Sequence, residues 1–288
     1  MPEISVIIPC YNQGVYLEEA MASVLKQTFE DWEIIIVNDG STDRETIRIL
    51  KELVFPKTKI FHTENKGLPA ARNKGISEAR GEFILPLDAD DMIGATYLQQ
   101  GIESFKNKPE TKLVYCYGRY FEKNTSAIPR ENGEFSYKSL LLYNSIFCSA
   151  IYRKTDFYNV GEYSINMRMG WEDWDLWIRL LSDGGQVFCI PEELFFYRMK
   201  NESMIETIKN DEQIQRKLQE LLYINNSDIY SQYFGSPISV YREISLLRTE
   251  RLNFESVKNA IYSSISYRLG HMILSPFKWM YKKVKAIK

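Results

Sequence analysis

Three aspartates lie within four residues directly after an apolar segment. Asp88, Asp90 and Asp91 follow the run from Glu82 to Leu87. Carboxylates this close raise one another's pKa unless a cation lies between them. One interpretation is an acidic turn that caps the next helix. The presence of three acids favours a second interpretation, a divalent metal ion held by one or two of the carboxylates. Phosphate oxygens and water would complete the coordination shell of this ion.

A second group of residues follows two other apolar segments. Pro9, Tyr11 and Asn12 come after the first, and Asp39 lies in a glycine-containing turn after the second. An aromatic face can stack on a nucleobase, and a carboxylate can accept a hydrogen bond from its N–H group. Taken alone, each is equally typical of a packing aromatic or an ordinary turn.

Two predicted helices carry further charged residues. Arg72 lies near the start of one, where it is a solvated surface charge or, given its fork geometry, a phosphate ligand. Trp171, Glu172 and Asp173 begin another, in GWEDWDLW. Acidic side chains in the first turn of a helix interact favourably with the helix dipole. A carboxylate among indole rings is also partly desolvated, which raises its pKa and suits a general base.

Short apolar segments alternate with helical patterns over the first hundred residues, which indicates parallel βαβ units with helices on both faces. The predicted strands are Ile4 to Pro9, Glu33 to Val37, Lys59 to His62 and Glu82 to Leu87. Ligands of such sheets bind outside the carboxyl ends of the strands. The groups around Tyr11, Asp39 and Asp90 all follow strand ends, so we expect them to converge on one edge.

The middle of the chain has a different pattern. Longer strands are predicted at Lys112 to Glu122 and at Ser145 to Lys154, and a helix from Glu172 to Leu181. QVFCI and ELFFYRM are predicted as two more strands, and the chain is helical and polar from about residue 201.

Composition argues against several classes of protein. The net charge is −2, and a local excess of positive charge lies after Glu255, where no acidic residue follows, whereas nucleic-acid binding calls for a broad basic face. Two histidines leave little material for a histidine metal site or a Ser-His-Asp triad. Four cysteines without CxxC spacing predict reduced thiols in a cytosolic protein. No apolar run approaches the roughly 18 residues that a spanning helix needs.

The segments SVIIPCYNQG, VNDGSTD, NKGLPAARNKGI, GEFILPLDADD and GWEDWDLWIRL occur in this order. Together they closely resemble the inverting glycosyltransferases of family 2, which have the GT-A fold. The resemblance covers roughly residues 3 to 200. It implies an α/β fold with a mostly parallel central sheet flanked by helices, and a nucleoside-diphosphate sugar, by family a UDP-sugar, as donor.

The resemblance also implies roles for the matching residues. Pro9 and Tyr11 flank the nucleobase, Asp39 accepts its hydrogen bond, and Arg72 lies near the base or the diphosphate. Asp88 is expected near the ribose and Asp90 on Mn²⁺ or Mg²⁺, with Asp91 an additional acid nearby. Asn12, Trp171 and Glu172 are further candidate substrate-binding residues. Asp173 is the expected base, which removes a proton from the acceptor hydroxyl before it attacks the anomeric carbon.

One departure from the family pattern falls at Lys200. Many relatives carry a Tyr-Arg-x-His run whose histidine approaches the metal and the diphosphate, whereas this chain has YRMK. A protonated lysine cannot ligate a metal, but it can pair with a diphosphate as a point charge. Lys200 is therefore predicted to contact the substrate.

The expected organisation is a GT-A catalytic domain over residues 1–200 and a helical extension with a basic tail over 201–288. Residues 1–110 form the sugar-nucleotide half and 111–200 the acceptor half. The tail either packs on the body or lies on an anionic membrane surface. We expect a cytoplasmic location, with the inner face of the cell membrane as the peripheral alternative.

The expected function is inverting sugar transfer to a glycan or lipid-linked saccharide, as in bacterial-type surface polysaccharide synthesis. Two alternatives stay open. A non-catalytic sugar-nucleotide-binding module would not need the acids of WEDWD. A phosphatase with a DxD pair usually carries it after its first strand, and it would leave Tyr11 and Asp39 unexplained.

Overall fold

The computed structural model describes residues 1–122, 126–127, 135–200, 203–267 and 269. Its strands are β1 (Ile4–Cys10), β2 (Trp32–Asp39), β3 (Thr58–Thr63), β4 (Phe83–Pro86), β5 (Met92–Ile93), β6 (Thr111–Glu122), β7 (Ile151–Arg153) and β8 (Gln186–Met199). Its helices are α1 (Gly14–Leu25), α2 (Arg44–Glu52), α3 (Leu68–Ser77), α4 (Tyr97–Asn107), α5 (Tyr137–Leu140), α6 (Lys154–Asn159), α7 (Glu172–Leu180), α8 (Met204–Asn210), α9 (Glu212–Asn225), α10 (Ser227–Phe234) and α11 (Pro237–Ser263).

The described strands form one sheet in the order β3-β2-β1-β4-β7-β6-β8-β5. The first four pair in parallel, which confirms the predicted βαβ units. β7 is antiparallel to both β4 and β6, while β6 and β8 are parallel to each other and β5 is antiparallel to β8. The carboxyl ends of β1, β2 and β4 therefore lie at one edge, as predicted.

Burial explains why the amino-terminal strands are almost wholly apolar. Every residue of β1 and of β2 is buried, because helices cover both faces of the sheet there. The core joins Ile8 and Ile36 of these strands to Leu17 of α1 and Ile102 of α4. Each such side chain contributes about 1.5–3 kcal/mol on burial. This core fixes the strand ends from which the polar loops project.

The prediction of a long strand from Ser145 to Lys154 is wrong for its first half. Only Ile151–Arg153 pairs in the sheet. Before it, the carbonyl of Ser149 accepts a hydrogen bond from the Tyr97 hydroxyl at 2.7 Å. The segment 145–148 lines the large cavity described below. All four of its residues line the cavity, and Phe147 also packs against the core.

The two strands predicted for QVFCI and ELFFYRM are a single strand, β8. Ile190 pairs with Cys116 and Glu193 with Tyr117, so an irregularity accommodates the residues between them. Pro191 falls at this point, and a proline without an N–H group is tolerated at a bulge. The strand then continues to Met199 and carries Lys200 to the edge of the sheet.

The chain divides into two compact units, Met1–Tyr230 and Ser231–Lys288. The first includes α8 and α9, which lie beyond the predicted functional boundary at residue 200; that boundary stays a prediction. In the second, α11 has no buried residue. None of the described helices combines the length and apolar composition that crossing a membrane would require. The predicted basic tail lies almost wholly outside the described residues.

Candidate active site

A cavity of about 1970 Å³ opens at the carboxyl ends of the parallel strands. It brings together ten of the eleven predicted site residues: Pro9, Tyr11, Asp39, Arg72, Asp88, Asp90, Trp171, Glu172, Asp173 and Lys200. Tyr11 has 46% of its surface exposed, so its ring is accessible to a ligand. The convergence predicted from strand ends is therefore present in the structure.

Asn12 is placed differently from the other predicted residues. Its side-chain oxygen accepts hydrogen bonds from the backbone N–H groups of Thr42 and Asp43, at 2.8 and 2.9 Å. Its own N–H group donates to the Ser41 hydroxyl at 3.0 Å. Asn12 has a positive φ of 55°, which asparagine tolerates better than most residues. It ties the loop after β1 to the loop after β2, and a substrate contact for it stays a prediction.

Asp39 is buried at the end of β2 and holds the start of α3. Its two carboxylate oxygens accept hydrogen bonds from the N–H groups of Lys66 and Gly67, at 2.9 and 2.8 Å. Gly67 has φ 91°, a conformation that favours glycine, and a Cβ there would lie 2.8 Å from Nε of Arg168. Asp39 thus presents a fixed carboxylate to the cavity.

Arg72 is fully buried and bridges two acids from distant parts of the chain. Its guanidinium donates to Asp88 at 2.7 Å and to Glu172. The guanidinium carbon also lies 5.5 Å from the centre of the Tyr163 ring. Burial opposes the charge on Arg72, but the two carboxylates hold its pKa well above the usual value. Arg72 therefore fixes the position of two acids of the cavity; the predicted contact with base or diphosphate stays a prediction.

The start of α7 presents two acids in different environments. Gly170 with φ 125° and Trp171 with φ 59° form the turn that begins the helix. Glu172 is paired with Arg72, and burial raises the pKa of its carboxyl to about 7 against the opposing effect of that arginine. Asp173 accepts hydrogen bonds from the Trp174 N–H at 2.7 Å and weakly from Asn144 at 3.3 Å.

Burial also raises the pKa of the Asp173 carboxyl, although Arg72 and these two donors oppose the shift. Among the described residues its hydrogen-bond donors, the Trp174 N–H and Asn144, are neutral, whereas Arg72 engages Glu172, so Asp173 is the better placed of the two to accept a proton. The third acid of this turn, Asp175, has a structural role. It is fully buried and accepts hydrogen bonds from Ser164, Arg179 and Asn226.

The acids after β4 also lie in different environments. Asp91 is buried outside the cavity lining, and its Oδ1 accepts a hydrogen bond from the Arg198 N–H at 2.9 Å. Burial raises the pKa of Asp91 well above its usual range. Asp90 has 13% of its side chain exposed and forms an ion pair with Lys200 through Oδ2. Asp88 and Asp90 both line the cavity, so a ligand there can reach either carboxylate, whereas Asp91 is out of reach.

Asp90 fits a metal site that the protein supplies only in part, with substrate and water as the other ligands. Within the described residues, no three His, Cys, Asp or Glu side chains are grouped so that they could hold a metal ion. Mg²⁺ nevertheless binds through one or two carboxylates when substrate phosphates and water complete its shell. Asp90 can serve as one such carboxylate, although Lys200 already occupies one of its oxygens.

Three residues that the sequence did not single out contribute to the site. Arg198 donates to the Asp90 carbonyl at 2.7 Å and so holds the acidic loop against β8. Asn144 contacts Asp173, and Arg168 lines the cavity beside Gly67. Arg198 had one sequence signal, because it is the arginine of the YRMK run. Asn144 and Arg168 lie in segments without a motif, so only the fold identifies them.

We expect Arg72→Met to lower the free energy of unfolding by about 3 kcal/mol, because removing one member of a buried ion pair leaves uncompensated charge. Urea denaturation measures this. Arg48→Met is the matched control, since Arg48 pairs with Glu45 and Glu52 on the surface and such pairs contribute about 0–1 kcal/mol. The interpretation fails if the two variants lose equal stability.

The sequence model described as Glycosyl transferase family 2 matches residues 5–175. EpsH of Bacillus subtilis is 42% identical over 124 residues, which cover 42% of this chain and 35% of EpsH. The glycosyltransferase GlyG of Streptococcus pneumoniae is 37% identical over 42% of this chain and 41% of its own length. The chain therefore spans less than half of either relative. The uncharacterized glycosyltransferase RT0329 of Rickettsia typhi is 28% identical over 99% of this chain and 98% of its own length.

Among solved structures, S. aureus TarS 1-349 in complex with UDP-GlcNAc has a TM-score of 0.61 at 18% identity, covering 78% of this chain and 66% of that one. A second structure of S. aureus TarS 1-349 has a TM-score of 0.58 at 18% identity, covering 81% of this chain and 73% of that one. This likeness concerns the fold, and with the family match it confirms the predicted GT-A fold. The chain belongs to glycosyl transferase family 2.

Proposed function

We propose that this protein transfers a sugar, with inversion, from a nucleoside-diphosphate sugar to a hydroxyl group of a saccharide acceptor. The observation that carries the proposal is the convergence of Tyr11, Asp39, Asp90 and Asp173 on one cavity. An aromatic face and a fixed carboxylate suit a nucleobase, and Lys200 with Asp90 suits a diphosphate and its counter-ion. Asp173 supplies a carboxylate at the same cavity.

In this reaction Asp173 accepts the proton of the acceptor hydroxyl. The oxygen forms a bond to the anomeric carbon from the side opposite to the diphosphate. The bond between that carbon and the phosphate oxygen breaks, and its electron pair leaves with the nucleoside diphosphate. Configuration therefore inverts without a covalent sugar–enzyme intermediate. Glu172 is less suited to be the base, because its carboxylate is engaged by Arg72.

A divalent cation, Mn²⁺ or Mg²⁺, is part of the proposal. When bound, it would be held by Asp90 and would offset the negative charge that builds on the departing diphosphate. The residues of this chain contribute the remaining charge. Lys200 carries a positive charge at the same place, and Arg72 keeps Asp88 in position.

The proposed donor is a UDP-sugar, since TarS, of the same fold, has been solved with UDP-GlcNAc. The proposed acceptor is a glycan or lipid-linked saccharide of surface polysaccharide synthesis. Aromatic side chains line the acceptor side of the cavity and offer flat faces to sugar rings: Tyr115, Tyr117, Tyr120, Tyr143, Trp171 and Trp174. Such faces combine a large apolar area with a polar edge.

Asp173→Asn tests the assignment of the base. We expect the variant to bind UDP as the wild type does, and to release nucleoside diphosphate from a panel of sugar nucleotides with Mn²⁺ about 10²–10⁴-fold more slowly. The wild-type kcat/KM should rise with pH until Asp173 is ionised. Because burial raises the pKa of this carboxyl, that limb should lie above the value of about 3.9 for a solvated aspartate.

Asp183→Asn is the control, because Asp183 pairs with Lys112 at the surface and has 73% of its side chain exposed. Full activity in Asp173→Asn would remove Asp173 from the mechanism. If the wild-type protein binds UDP but produces no nucleoside diphosphate from any sugar nucleotide of the panel, it is a binding module and not a transferase.

We also propose that the basic tail attaches the protein to an anionic membrane surface on the cytoplasmic side. No acidic residue follows Glu255, while seven lysines and arginines do. Ile261, Ile265 and Leu269 of this region are exposed. Apolar burial together with attraction between lysines and anionic lipids binds such segments to membranes.

Deletion of residues 276–288 tests this attachment. The full chain should co-sediment with phosphatidylglycerol-containing vesicles and the deletion variant should not, because each basic residue near such a surface contributes about 1 kcal/mol. Vesicles of phosphatidylcholine alone are the control for charge. Equal binding with and without the tail would exclude the membrane role of this segment.

A further inference from the structure

Lys200 stands where, by the resemblance, many members of the family carry a histidine, and its side chain makes two contacts there. Its ammonium group forms an ion pair with Asp90 and lies 5.1 Å from the centre of the Tyr16 ring. Only 21% of its side chain is exposed. Lys200 and Asp90 both line the cavity. The contact therefore belongs to the candidate active site.

The position of Lys200 is determined by the backbone around it. Two residues earlier, the Arg198 N–H donates to Asp91 and its Nε donates to the carbonyl of Asp90. Glu19 and Glu122 bind the rest of the Arg198 guanidinium. Side chains two apart in an extended chain point to the same side. Arg198 thus locks the end of β8 against the acidic loop and brings Lys200 to the Asp90 carboxylate.

This ion pair changes what Asp90 can do. A divalent cation and an ammonium group that use one carboxylate repel each other, and the cation gains less from a carboxylate whose charge is already balanced. If the donor's diphosphate comes to Asp90, as the proposed function has it, this ammonium group lies beside it. A lysine can pair with phosphate oxygens as a point charge.

We propose that Lys200 is a built-in counter-ion of Asp90, which competes with the divalent cation before nucleotide binds and supports diphosphate binding without metal. The inference rests on the proposed function in one respect, the diphosphate ligand. Its other half, the competition for Asp90, concerns the nucleotide-free protein alone. The structure thereby assigns to a lysine of the chain part of the charge that the family pattern gives to a metal and a histidine.

The test compares Lys200→Met with the wild type in two binding measurements. Mn²⁺ binding to nucleotide-free protein is followed by the electron paramagnetic resonance signal of free Mn²⁺. UDP binding is followed by calorimetry in EDTA. Since a hydrogen bond to a charged group contributes enough for about a tenfold change in affinity or more, Lys200→Met should bind Mn²⁺ about tenfold more tightly and UDP in EDTA about tenfold more weakly.

Three further variants sharpen the result. Lys200→Arg keeps the charge and should stay near the wild type in both measurements. Lys200→His should gain Mn²⁺ affinity, because neutral imidazole is a metal ligand. Lys209→Met is the control, since Lys209 lines the same cavity but pairs with Glu206. Thermal melting of each variant confirms that it is folded.

Unchanged Mn²⁺ affinity in Lys200→Met would overturn the competition, and unchanged UDP affinity in EDTA would overturn the contribution to diphosphate binding. A wild type that fails to bind UDP with or without Mn²⁺ would contradict the proposed function instead. In that case the Mn²⁺ measurement still decides whether Lys200 competes for Asp90.

Discussion

The candidate site depends on one interaction, the buried ion pairing of the Arg72 guanidinium with two carboxylates. It joins Asp88, at the end of β4, to Glu172, at the start of α7. Removing such ions from water costs several kcal/mol each, so the three groups persist in the interior only as partners. The bridge connects the loop after β4 to the start of α7, which carries Asp173. Arg72, which lies on α3, thus holds Glu172, the residue next to the proposed base Asp173.

A balance of charge runs through the rest of the site. Asp88 faces Arg72, Asp90 faces Lys200, and Asp91 accepts the N–H of Arg198. The crowding of acids in LPLDADD is tolerable because each acid has a separate donor, and the three acids consequently have different tasks. Asp88 and Asp90 both line the cavity. Asp91 fastens the loop to β8.

The sequence predicted the parallel half of the sheet and most of the cavity lining. Strand ends are strongly specified there, because βαβ units place polar loops at one edge and a buried strand is apolar throughout. Glu172, the predicted start of α7, is also the observed start. These features depend on local patterns, which a single sequence displays.

What the sequence did not predict depends on contacts between distant residues. The burial of Arg72 cannot be inferred from its helix alone, since its partners Asp88 and Glu172 lie 16 and 100 residues away. The positioning contacts of Asn12 are made to the loop after β2, and the segment before β7 is shaped by the cavity. Nor does the YRMK run disclose that Lys200 contacts Asp90.

The account requires the cavity to bind a nucleoside diphosphate through the loop that Asp39 organises. Calorimetric titration of the wild type and of Asp39→Asn with UDP tests this most directly. Saturable binding in the wild type and affinity at least about tenfold lower in Asp39→Asn is the predicted result, because the carboxylate is the stronger acceptor. Absence of UDP binding by the wild type, or equal binding by the two proteins, would contradict it.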